Sequence, residues 1–125
     1  MELSIILVVV ARMVWHGFLL TALLWVCYLA SMKLKEDFFS KTITPIAFYP
    51  GLIIIGFSYA VDFTVNLTVC TVVFLEFPRE WTVTARFNRM HGQSAWGRMV
   101  TEFIAKNFLE RYDPDGYHCE VFRQR

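Results

Sequence analysis

The sequence predicts an all-α membrane protein, in which a two-helix transmembrane hairpin is followed by an interfacial helix and an amphipathic C-terminal helix. The chain has 125 residues, of which 56% are hydrophobic, and its net charge is +1. Two apolar runs, residues 3–32 and 51–77, each exceed the about 20 residues that a helix needs to cross a bilayer. A third segment, residues 95–111, carries apolar side chains at helical spacing.

Residues 4–31 form the predicted first transmembrane helix. Arg12 and His16 interrupt the run, but it is too long for the apolar core of a signal peptide. It also lacks a leading basic region and a small-residue cleavage site. We therefore interpret it as a retained membrane helix, in which either the long Arg12 side chain reaches the interface or the spanning part begins near Met13.

The second transmembrane helix is predicted at residues 51–77, after a connector at residues 32–50. Pro45 and Pro50 place its start, since proline lacks a backbone donor and disfavours helix in the residue before it. The predicted membrane domain is accordingly residues 1–77.

An alternative interpretation divides the second run into two short helices, residues 43–60 and 62–77. It needs a turn at residues 60–63, where no cluster of turn-forming residues occurs. Such a turn would also leave backbone groups unpaired in lipid, which is costly. Two spanning helices are therefore preferred over three.

Two polar residues, Asp62 and Asn66, lie four positions apart in the second run and so share one helical face. Polar groups at that depth are costly and face a partner or water. The favoured interpretation is hydrogen bonding between helices, with His16 or Thr21 of the first helix or with a neighbouring subunit. The functional alternative is an ion or proton path, or the lining of an oligomeric pore.

The opposite face of the second helix carries small residues at four-residue spacing: Gly56, Ala60, Thr64 and Thr68. Small residues allow helices to approach closely in membranes. The second helix is therefore predicted to have partners on two sides, one of them the first helix and the other a further protomer.

After residue 77 the chain changes character, and residues 78–125 are predicted to form an amphipathic tail. Residues 79–90 are interpreted as a short helix on the headgroups, with Trp81, Arg86 and Arg89 at the interface or on a partner. A strand is the alternative, because apolar and polar residues also alternate here. The alternating apolar positions are Trp81, Val83, Ala85 and Phe87.

The second helix of the tail is predicted at residues 95–111, with Ser94 as its N-terminal cap. Its apolar side chains form one stripe, and a turn at residues 113–116 ends it. The stripe consists of Trp96, Met99, Val100, Phe103, Ile104 and Phe108. It is expected to cover lipid, the 79–90 helix or a partner protein.

Basic residues flank both membrane runs almost equally, so the positive-inside rule gives only a slight preference for a cytoplasmic tail. The connector carries Lys33, Lys35 and Lys41, and the tail carries Arg79, Arg86, Arg89 and Arg98.

No pattern for catalysis, metal or cofactor binding is present, and the chain is predicted not to be an enzyme. The three cysteines, Cys27, Cys70 and Cys119, form no CxxC motif, and His118 beside Cys119 lacks a second ligand pair at metal-binding spacing. No cofactor is expected. The near-zero net charge argues against a nucleic-acid partner.

Several motifs occur together in one order. They are Gly56, Asp62-x-x-x-Asn66, Phe74-Leu75-Glu76-x-Pro78-Arg79-Glu80, Thr84-Ala85-Arg86, Trp96-Gly97-Arg98 and Asp113-Pro114-x-Gly116-x-His118-Cys119. In this order the chain resembles a group of small, uncharacterised membrane proteins of tailed bacteriophages and prophages, over about residues 25–119. The resemblance implies a phage origin and the bacterial inner membrane, and it implies no activity.

The first functional hypothesis is a non-enzymatic membrane protein that acts through protein–protein contacts. The expected partners are the lipid bilayer and either further copies of the chain or a host or phage membrane protein. The alternative is an oligomeric, holin-like pore former that uses the polar face of the second helix.

Overall fold

The computed structural model describes residues 2–112, and every regular element within that range is helical. The elements are α1 (Glu2–Phe39), α2 (Pro45–Leu67), α3 (Val69–Phe74), α4 (Val83–Gln93) and α5 (Ala95–Ile104), followed by a π-helical turn (Ala105–Leu109) and a 3-10 turn (Glu110–Tyr112). The predicted turn at residues 113–116, together with His118 and Cys119, lies outside the described residues.

Two stretches of helix, Glu2–Phe39 and Pro45–Phe74, are long and apolar enough to cross a membrane by length and composition. This confirms the prediction of a helical protein with two candidate spanning segments. The second stretch comprises α2 and α3.

The connector between the two long helices is much shorter than predicted, because both helices extend into it. α1 continues to Phe39, and Lys33 pairs with Glu36 at 3.1 Å and with Asp37 at 3.2 Å along its last turns. Ion pairs at these spacings stabilise a helix. α2 begins at Pro45, since the side chain of Thr44 caps it, and proline is well tolerated in a first helical turn.

The long second run is interrupted at Thr68 and not at residues 60–63, where the three-helix interpretation required a turn. α2 passes through residues 60–63 as continuous helix. At Thr68 the backbone ψ falls to −74°, and α3 then continues to Phe74. Leu75 ends α3 in the left-handed conformation, with φ at 53°.

α1 and α2 pack side by side in opposite directions. The Oγ atoms of Ser31 and Ser58 lie 3.2 Å apart. Leu34 approaches Gly51, where a Cβ would lie 3.1 Å from a Leu34 methyl carbon. Gly17 faces Val69 of α3 in the same way, at 3.7 Å. The N-terminal part of α1, residues 2–16, is exposed throughout.

The buried core joins the long helices to α4. Cys27 of α1 and the α2–α3 residues Val61, Val65, Cys70 and Phe74 are buried in it. From α4 it takes Val83, Phe87 and Met90. The segment interpreted as a helix on the headgroups packs against the two long helices. That helix also starts later than predicted, at Val83, because the Thr82 side chain caps it by accepting from the Ala85 N–H.

α5 packs on α4 through small residues rather than through its apolar stripe. Gly97 and Thr101 are buried, as is Ala105 in the following turn, so small residues recur at four-residue spacing on the buried face. A Cβ on Gly97 would lie 2.3 Å from the carbonyl oxygen of Met90. The predicted stripe is divided as a result. Val100 and Ile104 pack against the core, whereas Trp96, Met99, Phe103 and Phe108 remain exposed.

The close approach of Gly97 to α4 predicts that Gly97→Ala destabilises the protein by about 1–3 kcal/mol, the usual cost of overpacking. The backbone oxygen of Met90 cannot move aside as a side chain would. Thermal unfolding in detergent micelles, followed by circular dichroism, measures the effect. Gly92→Ala is the matched control in α4, because a Cβ there meets nothing within 4 Å. A lower melting temperature for the Gly92 variant than for the Gly97 variant would contradict the packing described.

Candidate functional site: the polar network at the break in the second helix

The polar face of α2 is covered by the tail. Asn66 is completely buried, and its Nδ2 donates a hydrogen bond of 2.6 Å to the carbonyl oxygen of Glu80. Both carboxylate oxygens of Asp62 lie 3.3 Å from the backbone nitrogen of Val83, which donates to them. The polar pair that the sequence places on one face therefore meets the loop at residues 75–82 and the first residue of α4.

Arg86 of α4 is the centre of this network and is also completely buried. Its Nη1 donates to the carbonyl oxygen of Asn66 at 2.9 Å, to the Asn66 side-chain oxygen at 3.3 Å and to the Thr71 hydroxyl at 3.4 Å. Its Nη2 donates to the carbonyl oxygen of Glu76. The guanidinium carbon lies 5.5 Å from the centre of the Phe74 ring, within the range of a cation–π contact.

The chemistry of helix ends explains this arrangement. The interruption at Thr68 leaves carbonyl groups of the last turn of α2 without helical donors, and the C-terminus of a helix carries partial negative charge. Arg86 donates a hydrogen bond to the free carbonyl oxygen of Asn66, and its positive charge lies at the negative end of α2. The first N–H groups of α4 carry partial positive charge, and the carboxylate of Asp62 accepts from Val83 there. α4 thus places the cation of Arg86 at the C-terminus of α2, and α2 places the carboxylate of Asp62 at the N-terminus of α4.

The acceptors around Arg86 are all neutral. Within residues 2–112, no carboxylate lies within ion-pair distance of it, and Nε is buried without a hydrogen-bond partner. A buried cation is costly unless its hydrogen bonds are satisfied. The carbonyl, amide and hydroxyl oxygens therefore hold Arg86 in one position.

A more exposed layer of ion pairs lies over Arg86. Arg89 hydrogen-bonds to Glu80 through Nε, and its Nη1 lies 3.1 Å from the Glu76 carboxylate. Arg79 pairs with the same Glu76 carboxylate at 3.3 Å. Burial by itself raises the pKa of Glu80, but the hydrogen bond and the charge of Arg89 outweigh it, so the pKa lies below its usual value. The hydrogen bond to Glu80 correspondingly raises the pKa of Arg89.

The structure does not pair Asp62 or Asn66 with His16 or Thr21 of α1. His16 bonds to the carbonyl oxygen of Arg12 at 2.7 Å, and Thr21 bonds to that of Gly17 at 2.8 Å. Both of these hydrogen bonds lie within α1. The partners of Asp62 and Asn66 lie in α4 and the preceding loop, and spacing alone gives no signal for them.

The small-residue face of α2 lies on the side away from this network and is open. Gly56, Ala60, Thr64 and Thr68 are exposed, and a Cβ on Gly56 would meet nothing within 4 Å. The Thr64 and Thr68 hydroxyls donate to carbonyl oxygens one turn earlier in α2, at 2.8 and 2.7 Å. The two hydroxyl groups on this face are therefore satisfied within the helix.

The two tryptophans predicted at the interface, Trp81 and Trp96, are both exposed. Trp81 is 79% exposed and stacks on Phe63, with ring centres 5.4 Å apart. The Trp96 ring nitrogen donates to the carbonyl oxygen of Val73 at 3.0 Å. Within residues 2–112, no group of three or more His, Cys, Asp or Glu side chains comes together as a metal site would require.

The buried position of Arg86 predicts that Arg86→Ala costs about 3–5 kcal/mol of stability, because it leaves buried acceptors without their donor. Arg86→Lys should recover little, since an ammonium group cannot supply the planar set of donors. Thermal unfolding in detergent, with limited proteolysis of the tail, measures both. Arg79→Ala is the control, because its exposed ion pair contributes about 0–1 kcal/mol. Equal effects at Arg79 and Arg86 would contradict the network.

The lowered pKa of Glu80 predicts a pH dependence. A carboxyl group whose pKa is lower in the folded state stabilises the fold while ionised, and this contribution is lost as the pH falls through the folded-state pKa. The wild type should therefore lose more stability than Glu80→Gln on acidification from about pH 6 to about pH 3. Melting temperatures across this range test the difference. Parallel pH profiles for the two proteins would show that Glu80 contributes nothing.

Comparison with known proteins gives no match: no family model, no curated protein and no solved structure aligns significantly with this chain.

Proposed function

We propose that the chain is a non-enzymatic integral membrane protein that acts through protein–protein contacts, with α1 and α2 crossing the bilayer as a hairpin. The two long apolar helices support membrane insertion, and their contacts in opposite directions support the hairpin. Large apolar side chains are exposed along both helices, as lipid contact requires. The resemblance to phage and prophage membrane proteins supports a phage origin and the bacterial inner membrane.

One observation carries the proposed mode of action, namely the contrast between the two faces of α2. The polar face is satisfied inside the molecule, where Arg86 and Glu80 bind Asn66 and Val83 binds Asp62. The small-residue face around Gly56 and Ala60 has no neighbour within the described chain. In a bilayer, such a face favours close packing with another helix. It is the contact surface that we assign to a second copy of the chain or to another membrane protein.

The same observation weakens the support for a holin-like pore. A pore of that kind would expose polar side chains of α2 to water in its channel. Asn66 has no exposed surface, and Asp62 accepts from the start of α4. Opening the polar face to a channel would require α4 to leave its position and Arg86 to lose all of its acceptors.

Cross-linking in the membrane tests the contact surface. In a variant in which Cys27, Cys70 and Cys119 are replaced by alanine, Ala60→Cys is expected to form disulfide-linked dimers on mild oxidation. Tyr59→Cys is the matched control, because it lies at the same depth, is 63% exposed and is turned about 100° around the helix from Ala60. Adding Gly56→Leu to the Ala60→Cys variant should reduce the cross-link severalfold, since it fills the face.

The outcomes separate the candidate functions. If Ala60→Cys gives no dimer but Gly56→Leu removes a co-purifying membrane protein, the partner is a different protein. Equal cross-linking at positions 59 and 60, with no effect of Gly56→Leu, would overturn the proposed surface. Membrane potential is followed in the same cells for the wild type and for Asp62→Ala. Rapid depolarisation that Asp62→Ala alters would make the pore the better explanation.

A further inference from the structure

The exposed apolar face of α5 requires a covering surface. Trp96, Met99 and Phe103 are 53%, 57% and 62% exposed and lie along one side of the helix at spacings of three and four. The opposite side, with Gly97 and Thr101, is the side buried against α4. α5 therefore buries its small residues and presents its largest apolar residues outward, which is the reverse of a helix in a water-soluble domain.

The position of α5 beside the long helices fixes its depth relative to them. At its start, the Trp96 ring bonds to the carbonyl oxygen of Val73. After its end, the carbonyl oxygens of Phe108 and Leu109 accept from Trp25 and Tyr28 of α1, each at 3.3 Å. The C-terminal helix thus runs back along the long helices rather than away from them.

The level of Val73 along α1 follows from the contact between Gly17 and Val69. Val73 lies one helical turn beyond Val69 and therefore beside α1 at about residue 13. The segment from Trp96 to Phe108 accordingly lies alongside residues 13–25 of α1. Any spanning segment of about 20 residues drawn within the apolar run 3–32 includes residues 13–22. Most of α5 is therefore at membrane depth wherever the bilayer is centred on this run.

The charged residues of α5 are compatible with this depth. Glu102 lies 3.2 Å from the His91 ring nitrogen and 3.8 Å from the Lys106 ammonium, so it is paired on both sides. Charged groups in membranes are commonly paired with one another in this way. Arg98 is near the start of α5, at the level of Val73, from where a long side chain can extend towards the headgroups.

From these positions we propose that the α4–α5 pair is embedded in the bilayer and that Trp96, Met99 and Phe103 bind the acyl chains of lipids. This inference rests on the proposed membrane insertion of α1 and α2. It replaces the predicted cytoplasmic tail by a third layer of the membrane domain. It also explains why both terminal nitrogens of the buried Arg86 have protein acceptors, because water cannot assist their solvation there.

Fluorescence quenching by lipids brominated in the acyl chain tests the proposal. Single cysteines labelled with an environment-sensitive dye replace Met99 and Phe103 in the cysteine-free protein, reconstituted in vesicles of brominated or ordinary phosphatidylcholine. Phe18→Cys on α1 is the control for lipid contact, because it is 63% exposed and lies within residues 13–22. Glu36→Cys is the water-side control, since the Glu36 side chain is 69% exposed at the polar end of α1.

We expect quenching at positions 99 and 103 to match that at position 18 and to exceed that at position 36 severalfold. If position 18 is quenched and positions 99 and 103 resemble position 36, the pair lies in water and this inference alone is wrong. If positions 99 and 103 are shielded both from lipid and from an aqueous quencher, a protein covers the face and the inference is again wrong. If position 18 is not quenched either, membrane insertion itself is contradicted.

Discussion

The fold depends on the guanidinium group of Arg86, which occupies the break between α2 and α3. The break makes the carbonyl oxygen of Asn66 available, and Arg86 binds that oxygen, the Asn66 side chain and the Thr71 hydroxyl. An unfilled break would be costly in an apolar environment, because its backbone groups would remain unpaired. A buried arginine without acceptors would be costly for the same reason. The interrupted helix and α4 therefore stabilise each other, and neither arrangement is favourable alone.

Asp62 and Glu80 also help to hold the interrupted helix and α4 together. Asp62 lies one turn before Asn66 and accepts from the first N–H of α4, which aligns the start of that helix with the polar face of α2. Glu80 contributes its carbonyl oxygen to Asn66 and its carboxylate to Arg89, so one loop residue joins the buried network to the outer ion pairs. The polar residues of the second helix are thereby used in holding the tail. The contacts with other molecules that we propose are therefore assigned to the faces that remain open.

The sequence predicted the type of each long element and missed most of the pairings. The two long helices could be predicted because an apolar run of more than about 20 residues is long enough for a helix that spans a bilayer. The start of α2 depends on the side chain of Thr44, which accepts from Ala47, and such a cap is easily overlooked when prolines follow it. The partners of Asn66 could not be predicted, since helical spacing gives the face of a residue and not the element that covers it. For the same reason, Arg86 was predicted to lie at the headgroup interface or on a partner, and its contact with Asn66 was not expected.

The contact between α4 and α5 could have been predicted from the spacing of small residues in α5. The spacing of four that indicated a contact face at Gly56 and Ala60 recurs at Gly97, Thr101 and Ala105, on the side of α5 opposite the exposed apolar residues. At Gly97 the face is filled, and the backbone of α4 lies so close that a Cβ would meet the Met90 oxygen at 2.3 Å. At Gly56 the equivalent face is empty.

The filled face shows how this chain uses such a surface, which is to bring two helix backbones together without intervening side chains. Lipid chains fill a smooth, shallow helix face less well than a second helix does, because a helix also offers fixed partners for dispersion contacts. The same physical argument that accounts for the contact between α4 and α5 therefore favours a helix, rather than lipid, against the open face of α2.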